Sequence, residues 1–140
     1  MTLRFAGYAA LFDTIDRGGD VIRRGAFARA IGTGGSVPLL WQHRPEHPIG
    51  RIESLSEDAR GLRVIARLTP GAGHAAEAAA LLRDGAVGGL SFGYRVRAKE
   101  PRPPDGRTLT DLDLVEVSLV TFPMQPGARV HAVHEEDKNV

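Results

Sequence analysis

The sequence contains no cysteine among its 140 residues. Without thiols the chain can form no disulfide, no cysteine zinc site and no thiolate nucleophile. Any nucleophile must therefore carry oxygen. The same lack leaves the redox compartment undetermined, because disulfides are the feature that would reveal it.

An excess of either charge is also lacking, since 18 lysines and arginines stand against 17 aspartates and glutamates. No block rich in lysine or arginine forms a stripe that could follow a phosphate backbone. The composition therefore disfavours nucleic acid as a partner of this protein.

Long apolar runs are missing as well. No segment approaches the roughly 20 apolar residues of a membrane-spanning helix, and residues 1–8 lack the apolar core of a signal peptide. We expect a soluble, intracellular protein without a membrane partner. The 140 residues suit one domain, which we assign to residues 1–130, followed by a polar tail at residues 131–140.

Apolar patterns predict a fold dominated by strands. In residues 61–69, Leu62, Val64 and Ala66 alternate with Arg63 and Arg67, as in a strand with one buried face. By the same reasoning, strands are predicted at residues 3–11, 37–42, 49–56, 61–69, 87–98 and 108–122.

Two segments predict helices. Residues 74–84 are rich in alanine and leucine and are followed by Gly85, which suits a C-terminal cap. A shorter helix is predicted at residues 24–31, where Phe27 and Ile31 fall on one side.

Prolines and polar runs predict where strands stop. Two prolines favour a loop at residues 44–48, since proline cannot continue a ladder, and residues 100–107 favour a second proline-rich loop. The chain after Pro126 is polar enough to fray. The fold class is therefore mainly β with flanking helices (α+β), and we expect a small, partly closed β-barrel of about six strands.

Ser91 is the candidate nucleophile. Glycines at positions 88, 89 and 93 surround it, and they would let the backbone approach a substrate closely or turn amides toward an oxyanion. The spacing matches G-x-S-x-G, but the parallel strand and helix context of the α/β-hydrolase elbow is lacking. The alternative is a strand made more flexible by its glycines, with Ser91 on the solvent-exposed face.

His43 is the candidate base among five histidines. It follows a short apolar run, so we place it at a strand end, on one face with Trp41 and Leu39. The other four histidines lie at a helix start, in a loop or in the tail, and we interpret them as exposed surface residues. His43, Glu46 and His47 do not form the helical H-E-x-x-H arrangement, so we predict no metal site.

Glu116 is the candidate third group. It shares a strand face with Ser118 and Val120 in an apolar run, and burying an unpaired charge is costly. A histidine is one possible partner, because a carboxylate that accepts the N–H of one ring nitrogen leaves the other free to take a serine proton. A salt bridge to an arginine, such as Arg95 or Arg51, is the alternative.

Several segments, by their order and spacing, closely resemble the tailed-phage prohead protease family from about residue 5 to about residue 130. The segments are FAGYA at 5–9, GDVI at 19–22 with GAF at 25–27, His43 through PIGR at 48–51, GL at 61–62, GGLSFGY at 88–94, and EVSLVTFP at 116–123 with GA at 127–128.

The resemblance implies a serine endopeptidase without a cofactor, with the assemblin-like fold of the herpesvirus maturation proteases, a β-barrel surrounded by helices. By position it implies His43 as the general base, Ser91 as the nucleophile and Glu116 as the third member, where herpesvirus enzymes use a second histidine. We expect backbone amides near the glycine-rich turns to hold the oxyanion. Residues 122–126 depart from the more usual Pro-Ala-Asn-Pro ending of the family, and the loop at residues 98–107 is short.

The resemblance also implies where such an enzyme acts and on what. Family members work inside the immature capsid, the prohead, in the host cytoplasm, where they cut scaffold protein or the scaffold-like N-terminal extension of the major capsid protein, and often themselves. The sequence does not decide whether the protein forms a homodimer. Two other functions are also compatible with it, that of a noncatalytic capsid-assembly binding protein of the same fold and that of a small esterase-like hydrolase.

Overall fold

The computed structural model describes residues 2–34 and 36–136, and within them the chain forms eight strands and two helices. In chain order they are β1 (Thr2–Leu11), β2 (Asp20–Ile22), α1 (Ala28–Gly32), β3 (Pro38–Trp41), β4 (Arg44–Glu57), β5 (Gly61–Leu68), α2 (Ala75–Asp84), β6 (Gly89–Arg102), β7 (Gly106–Val120) and β8 (Val130–Glu136). The protein is mainly β with flanking helices, as predicted. The two strands that the sequence did not predict are β2 and β8.

All eight strands belong to one sheet, in the order β2-β7-β3-β4-β5-β1-β8, with β6 paired to β7. The parallel partners β2 and β3 join β7 at different points along its length, while β6 runs antiparallel to nearly all of it. A short seam forms where Leu90 N–H donates to Ala128 O and Val130 N–H donates to Gly88 O, both at 2.9 Å. The sheet therefore curls into a partly closed barrel, as predicted.

The alternating pattern of β5 places one face in the barrel core. Leu62, Val64 and Ala66 are buried, whereas Arg63 and Arg67 lie partly exposed on the outer face. The largest fully buried side chains are Phe5, Phe27, Ile22, Leu39, Ile49, Leu62, Leu90, Leu109, Leu112, Leu119, Val64 and Val117. Full burial of one such side chain contributes about 1.5–3 kcal/mol, so this core fixes the strands that carry the polar residues described below.

Both predicted helices are present, with different accuracy at their starts. The helix α2 ends at Asp84 with Gly85 at φ 84°, which confirms the predicted glycine cap. The helix α1 begins only at Ala28. The reason is local, because Gly25 has φ 90° and the carboxylate of Glu57 accepts the N–H groups of Gly25 and Phe27. These bonds stabilise turns where the sequence predicted the first turn of a helix.

The loop predicted at residues 44–48 is wrong, because β4 begins at Arg44. The β3–β4 ladder is irregular there, with register shifts on both sides of Leu40 and with Pro48 opposite Leu40. A bulge leaves residues without ladder hydrogen bonds, so a proline that has no N–H to donate costs little at such a place.

The loop predicted at residues 100–107 is wrong as well. The strands β6 and β7 continue pairing to Arg102 and Gly106, so the hairpin turn occupies only residues 103–105. In this part of the hairpin β6 pairs only with β7 in the described chain. Proline is tolerated on such an edge strand, where its nitrogen can face away from the ladder.

The fraying predicted after Pro126 is wrong for the described residues. The strand β8 runs antiparallel to β1, with Leu3 opposite Glu135 and Phe5 opposite Val133. It is an edge strand of the sheet, which explains why a polar sequence can form it. Residues 137–140 of the predicted tail lie outside the described part of the chain. Of the two helices described, neither has the length and apolar character that crossing a membrane requires.

Candidate active site

His43 lies in a two-residue turn between β3 and β4. Because β3 ends at Trp41 and β4 begins at Arg44, the central residues of the turn are Gln42 and His43, with φ values of 53° and 61°. Positive φ at both positions is typical of the tightest hairpins. The predicted position of His43, on a strand face with Trp41, is therefore wrong. We call Gln42 and His43 the histidine turn.

The left-handed conformation costs about 1 to 2 kcal/mol for each residue that is not glycine, and contacts with β7 and its end offset this cost. Gln42 N–H donates to Leu119 O at 3.0 Å. The Gln42 side chain donates to Thr121 Oγ1 at 2.8 Å and accepts from Thr121 N–H at 3.2 Å. His43 N–H donates to Ser118 Oγ at 3.1 Å. The histidine turn is thus bonded to β7 and to the residue that follows it.

The imidazole of His43 contacts the carboxylate of Glu116 on β7. The distance from Nδ1 to Oε1 is 2.6 Å, and since a carboxylate accepts, Nδ1 carries the hydrogen. The second carboxylate oxygen, Oε2, accepts from Ser118 Oγ at 2.7 Å. Glu116 is only 8% exposed. Both oxygens of this nearly buried carboxylate therefore have a hydrogen-bond partner.

The structure decides between the two partners that the sequence left open for Glu116. The carboxylate pairs with His43, and within residues 2–34 and 36–136 it forms no salt bridge with Arg95, Arg51 or any other arginine. The pairing follows from the sheet, because β3 runs parallel to β7 and sets Trp41 beside Leu119. The chain reverses immediately after Trp41, which brings the ring back toward Glu116.

Gly93 provides the space for this carboxylate. It lies opposite Glu116 in the β6–β7 ladder, and a Cβ atom at Gly93 would be 2.5 Å from Glu116 Oε1. Real Cβ atoms essentially never approach a polar atom so closely, so any other residue would displace the oxygen that contacts His43. The sequence interpretation, in which this glycine serves the approach of a substrate, missed this role.

Ser91 lies on β6 opposite Ser118 and is 7% exposed. The alternative placement on a wet strand face is therefore wrong. Its side chain lines a small cavity of about 90 Å³ together with His43. The remaining lining residues are Ala9, Asp16, Leu90, Phe92, Tyr94, Met124 and Gln125. The structure thus brings Ser91 and His43 to the same cavity, and His43 into contact with Glu116.

No hydrogen bond joins Ser91 to the ring of His43 in the described chain. Since Glu116 engages Nδ1, the nitrogen that remains for Ser91 is Nε2. Hydrogen bonds between catalytic groups are often long before a substrate binds and shorten when it does. Over residues 2–34 and 36–136, histidine, aspartate and glutamate side chains form no cluster of three or more that could hold a metal ion.

A neutral phenol also faces the cavity. Burial, and then the nearby charges of Asp20 and Asp16, raise the pKa of Tyr94, so its hydroxyl keeps its proton and remains a hydrogen-bond donor. Asp20 is itself buried and accepts two hydrogen bonds from Arg107, at 2.9 and 2.7 Å. Sequence reasoning did not assign Tyr94, Asp16 or Asp20 to the site.

Three further residues of the site were missed in the sequence. Ser118 and Thr121 follow Glu116 on β7 and at its end, and Gln42 precedes His43. A usable signal existed for Ser118, because residues two apart on a strand share a face, so its hydroxyl had to lie beside Glu116. No comparable signal existed for Gln42 and Thr121, whose contact spans 79 positions of sequence.

The fold is similar to those of several viral proteases. Against the varicella-zoster virus protease the TM-score is 0.62 with 16% identity, covering 94% of this chain and 64% of that one. Against the KSHV protease in complex with a hexapeptide phosphonate inhibitor it is 0.63 with 13% identity, covering 97% and 66%. Against the bacteriophage T4 capsid assembly protease it is 0.65 with 14% identity, covering 84% and 82%. At these identities the likeness shows the fold alone, and it confirms the predicted herpesvirus-protease-like architecture.

Comparisons of sequence identify the family. The chain is 38% identical over 138 residues to the prohead protease of Enterobacteria phage HK97, covering 95% of this chain and 61% of that protein. It is 30% identical over 109 residues to the capsid polyprotein of Pseudomonas phage PAJU2, covering 73% of this chain and 16% of that protein. The chain thus spans less than two thirds of either relative. The sequence model of the caudovirus prohead serine protease family matches residues 1–140, and the chain belongs to that family.

Proposed function

We propose that this protein is a serine endopeptidase in which Ser91 is the nucleophile, His43 the general base and Glu116 the group that orients the base. The observation that carries the proposal is the 2.6 Å contact between His43 Nδ1 and Glu116 Oε1, made by an imidazole that lines one small cavity with Ser91. Membership of a family of serine proteases supports the same chemistry.

The first half of the reaction forms an acyl-enzyme. Glu116 holds the hydrogen of His43 on Nδ1, so the lone pair of Nε2 can take the proton of Ser91 Oγ as that oxygen bonds to the carbonyl carbon. The imidazolium that results lies against the nearly buried carboxylate, which stabilises its charge. Nε2 then returns the proton to the leaving amine as the C–N bond breaks.

The second half releases the acyl group. A water molecule gives a proton to Nε2 and bonds to the acyl carbon, and the C–O bond to Ser91 then breaks as Oγ regains a proton. For the oxyanion of both steps we propose backbone amides near the glycine-rich turns. The Leu90 N–H is unsuited, because it donates to Ala128 O at 2.9 Å.

For the substrate we propose scaffold protein, or the scaffold-like N-terminal extension of the major capsid protein, cut inside the prohead in the host cytoplasm. The names of the relatives, a prohead protease and a capsid polyprotein, support this class of substrate. We extend the proposal to cleavage of the protein's own chain and to a homodimer. The small and mainly apolar lining of the cavity favours a small apolar side chain beside the bond that is cut.

Coexpression with the capsid and scaffold proteins of the same genome tests the proposal. The wild-type protein is expected to shorten one of them, and both Ser91→Ala and His43→Ala are expected to abolish the shortening while the protein stays folded. Ser56→Ala is a matched control, because Ser56 lies exposed on β4. Processing that persists undiminished in Ser91→Ala would remove the mechanism. Binding of the capsid protein without any cleavage would favour the noncatalytic assembly protein instead.

A further inference from the structure

Ser118 joins the two partners of the histidine–glutamate pair through one hydroxyl group. Its Oγ–H donates to Glu116 Oε2 at 2.7 Å, and the same oxygen accepts from the backbone N–H of His43 at 3.1 Å. The residue is fully buried, at 0% exposure. The side chain therefore touches the carboxylate that orients the imidazole and also the backbone that carries the imidazole.

The strand pairing places residue 118 beside both partners. Ser118 lies opposite Leu40 on β3, close to the histidine turn, and opposite Ser91 on β6. It therefore stands in the ladder between the strand that leads to His43 and the strand that carries Ser91. Position 118 is therefore close to both the histidine turn and Ser91.

Few side chains could make both hydrogen bonds from this place. A serine hydroxyl is small, and it can donate to one group while it accepts from another. With alanine, the partly buried N–H of His43 and an oxygen of the nearly buried Glu116 carboxylate would both lose a partner, and this loss is expensive for the buried carboxylate. Glu116 could then rotate, and the left-handed backbone of His43 would lose one of its hydrogen bonds.

We propose that Ser118 is a positioning residue that fixes the Glu116 carboxylate and the His43 backbone in one arrangement, so that Nδ1 stays bonded to Oε1 and Nε2 stays directed at the cavity. The proposal rests on the proposed function for its consequence in catalysis. Its structural content, the link from Ser118 to the imidazole hydrogen bond, can be measured without any substrate.

Proton NMR of the purified protein measures that link directly. The Nδ1–H proton of His43, bonded to Glu116 Oε1, should give a downfield resonance, identified by its disappearance in His43→Ala. In Ser118→Ala we expect this resonance to shift upfield and broaden into exchange with water. Ser56→Ala replaces an exposed serine and is expected to leave the resonance in place. If Ser118→Ala does not fold, Ser118→Cys keeps the shape and a weak donor, and its resonance should move in the same direction by less.

Kinetics give the second readout. Removing a residue that holds a functional group in place typically costs about 10- to 100-fold in activity, so kcat of Ser118→Ala should fall by that factor with KM within about twofold. In a Glu116→Ala background the same substitution should cost much less, because one of the two groups that it positions is already gone.

The outcomes separate the two proposals. A His43 resonance that is identical in the wild type and in folded Ser118→Ala would overturn the positioning role, whether or not the protein cleaves anything. Equal losses of kcat in the presence and absence of Glu116 would overturn it too. A resonance that changes as expected in a protein that cleaves no capsid or scaffold substrate would support the positioning role and contradict the proposed function.

Discussion

Gly93 and Glu116 face each other across the β6–β7 ladder so closely that a Cβ atom at Gly93 would stand 2.5 Å from Glu116 Oε1. The same oxygen lies 2.6 Å from His43 Nδ1. The glycine that follows Ser91 by two residues therefore affects the contact between Glu116 and the proposed base, His43. It keeps open the place in which the carboxylate meets the imidazole.

Gly93→Ala should separate the two groups. The methyl group displaces Oε1, and a displacement of about 1 Å at a catalytic group can cost on the order of 100-fold in rate, so we expect turnover to fall by about that factor in a protein that remains folded. The measurement is the initial rate of substrate cleavage beside a thermal unfolding curve. Gly73→Ala is the control, because a Cβ at Gly73 meets nothing within 4 Å. An active Gly93→Ala enzyme would show that the contact is dispensable.

Glu116→Gln should leave the shape of the site intact and remove its charge. An amide can present its NH₂ group to Nδ1 and favour the wrong tautomer, and it cannot stabilise an imidazolium, so kcat should fall by about 10³- to 10⁴-fold. The exposed Glu46→Gln gives the matched change of charge on the surface. A loss below tenfold, measured with both proteins at equal concentration of folded enzyme, would assign the orienting role to another group.

The reciprocal hydrogen bonds between Gln42 and Thr121 should stabilise the histidine turn. Gln42→Ala removes both bonds and should lower the free energy of unfolding by about 2 kcal/mol, whereas Thr121→Val removes only the bond to Oγ1 and should lower it by about 1 kcal/mol, because the backbone N–H of residue 121 can still donate to Gln42 Oε1. The double variant should lose little more than Gln42→Ala alone, since that substitution already breaks both bonds. Chemical denaturation of the four proteins measures this coupling. Strictly additive losses would mean that the two side chains act separately.

Asp113 should make stability depend on pH at the acidic end. Hydrogen bonds from Arg29 and then from Arg97, both at 2.6 Å, hold the pKa of the Asp113 carboxyl below its ordinary value. A lowered pKa contributes stability that is complete above the ordinary carboxyl range and is lost as the pH falls through the folded-state pKa.

The matching variant is Asp113→Asn, whose Tm should fall less steeply than that of the wild type on acidification. The difference should be small, because solvent screens a pair at the surface. Asp105→Asn, at an exposed residue of the β6–β7 turn, should follow the wild-type curve. Parallel curves for Asp113→Asn and the wild type, from calorimetry across the acidic range, would contradict the assignment.

Much of the barrel could be predicted from local patterns. The alternation in β5 and the alanine-rich stretch ending at Gly85 each report a structure that neighbouring residues determine, namely a half-buried strand and a capped helix. The edge strand β8 could not be found in this way. Its polar sequence resembles a frayed tail, and it becomes a strand only because β1 offers an open edge.

The candidate site could likewise be predicted only where the local sequence carried the information. Ser91, His43 and Glu116 could be selected because a serine, a histidine and an isolated carboxylate stand out in their segments. The conformation of the histidine turn, Gln42 and His43, could not be predicted, because nothing in the local sequence indicates that two non-glycine residues adopt positive φ. Contacts with Thr121 and Ser118, 79 and 75 positions away in the chain, stabilise that conformation.

Covalent labelling of Ser91 tests the central claim most directly. A fluorophosphonate reagent, followed by mass spectrometry of the digested protein, is expected to place one adduct on Ser91 in the wild type, and His43→Ala should slow its formation by several orders of magnitude because the hydroxyl loses its base. Exposed Ser56 should stay unlabelled in both proteins. A wild-type protein in which Ser91 stays unmodified, or reacts as fast in His43→Ala, would contradict a nucleophile activated by His43 and Glu116.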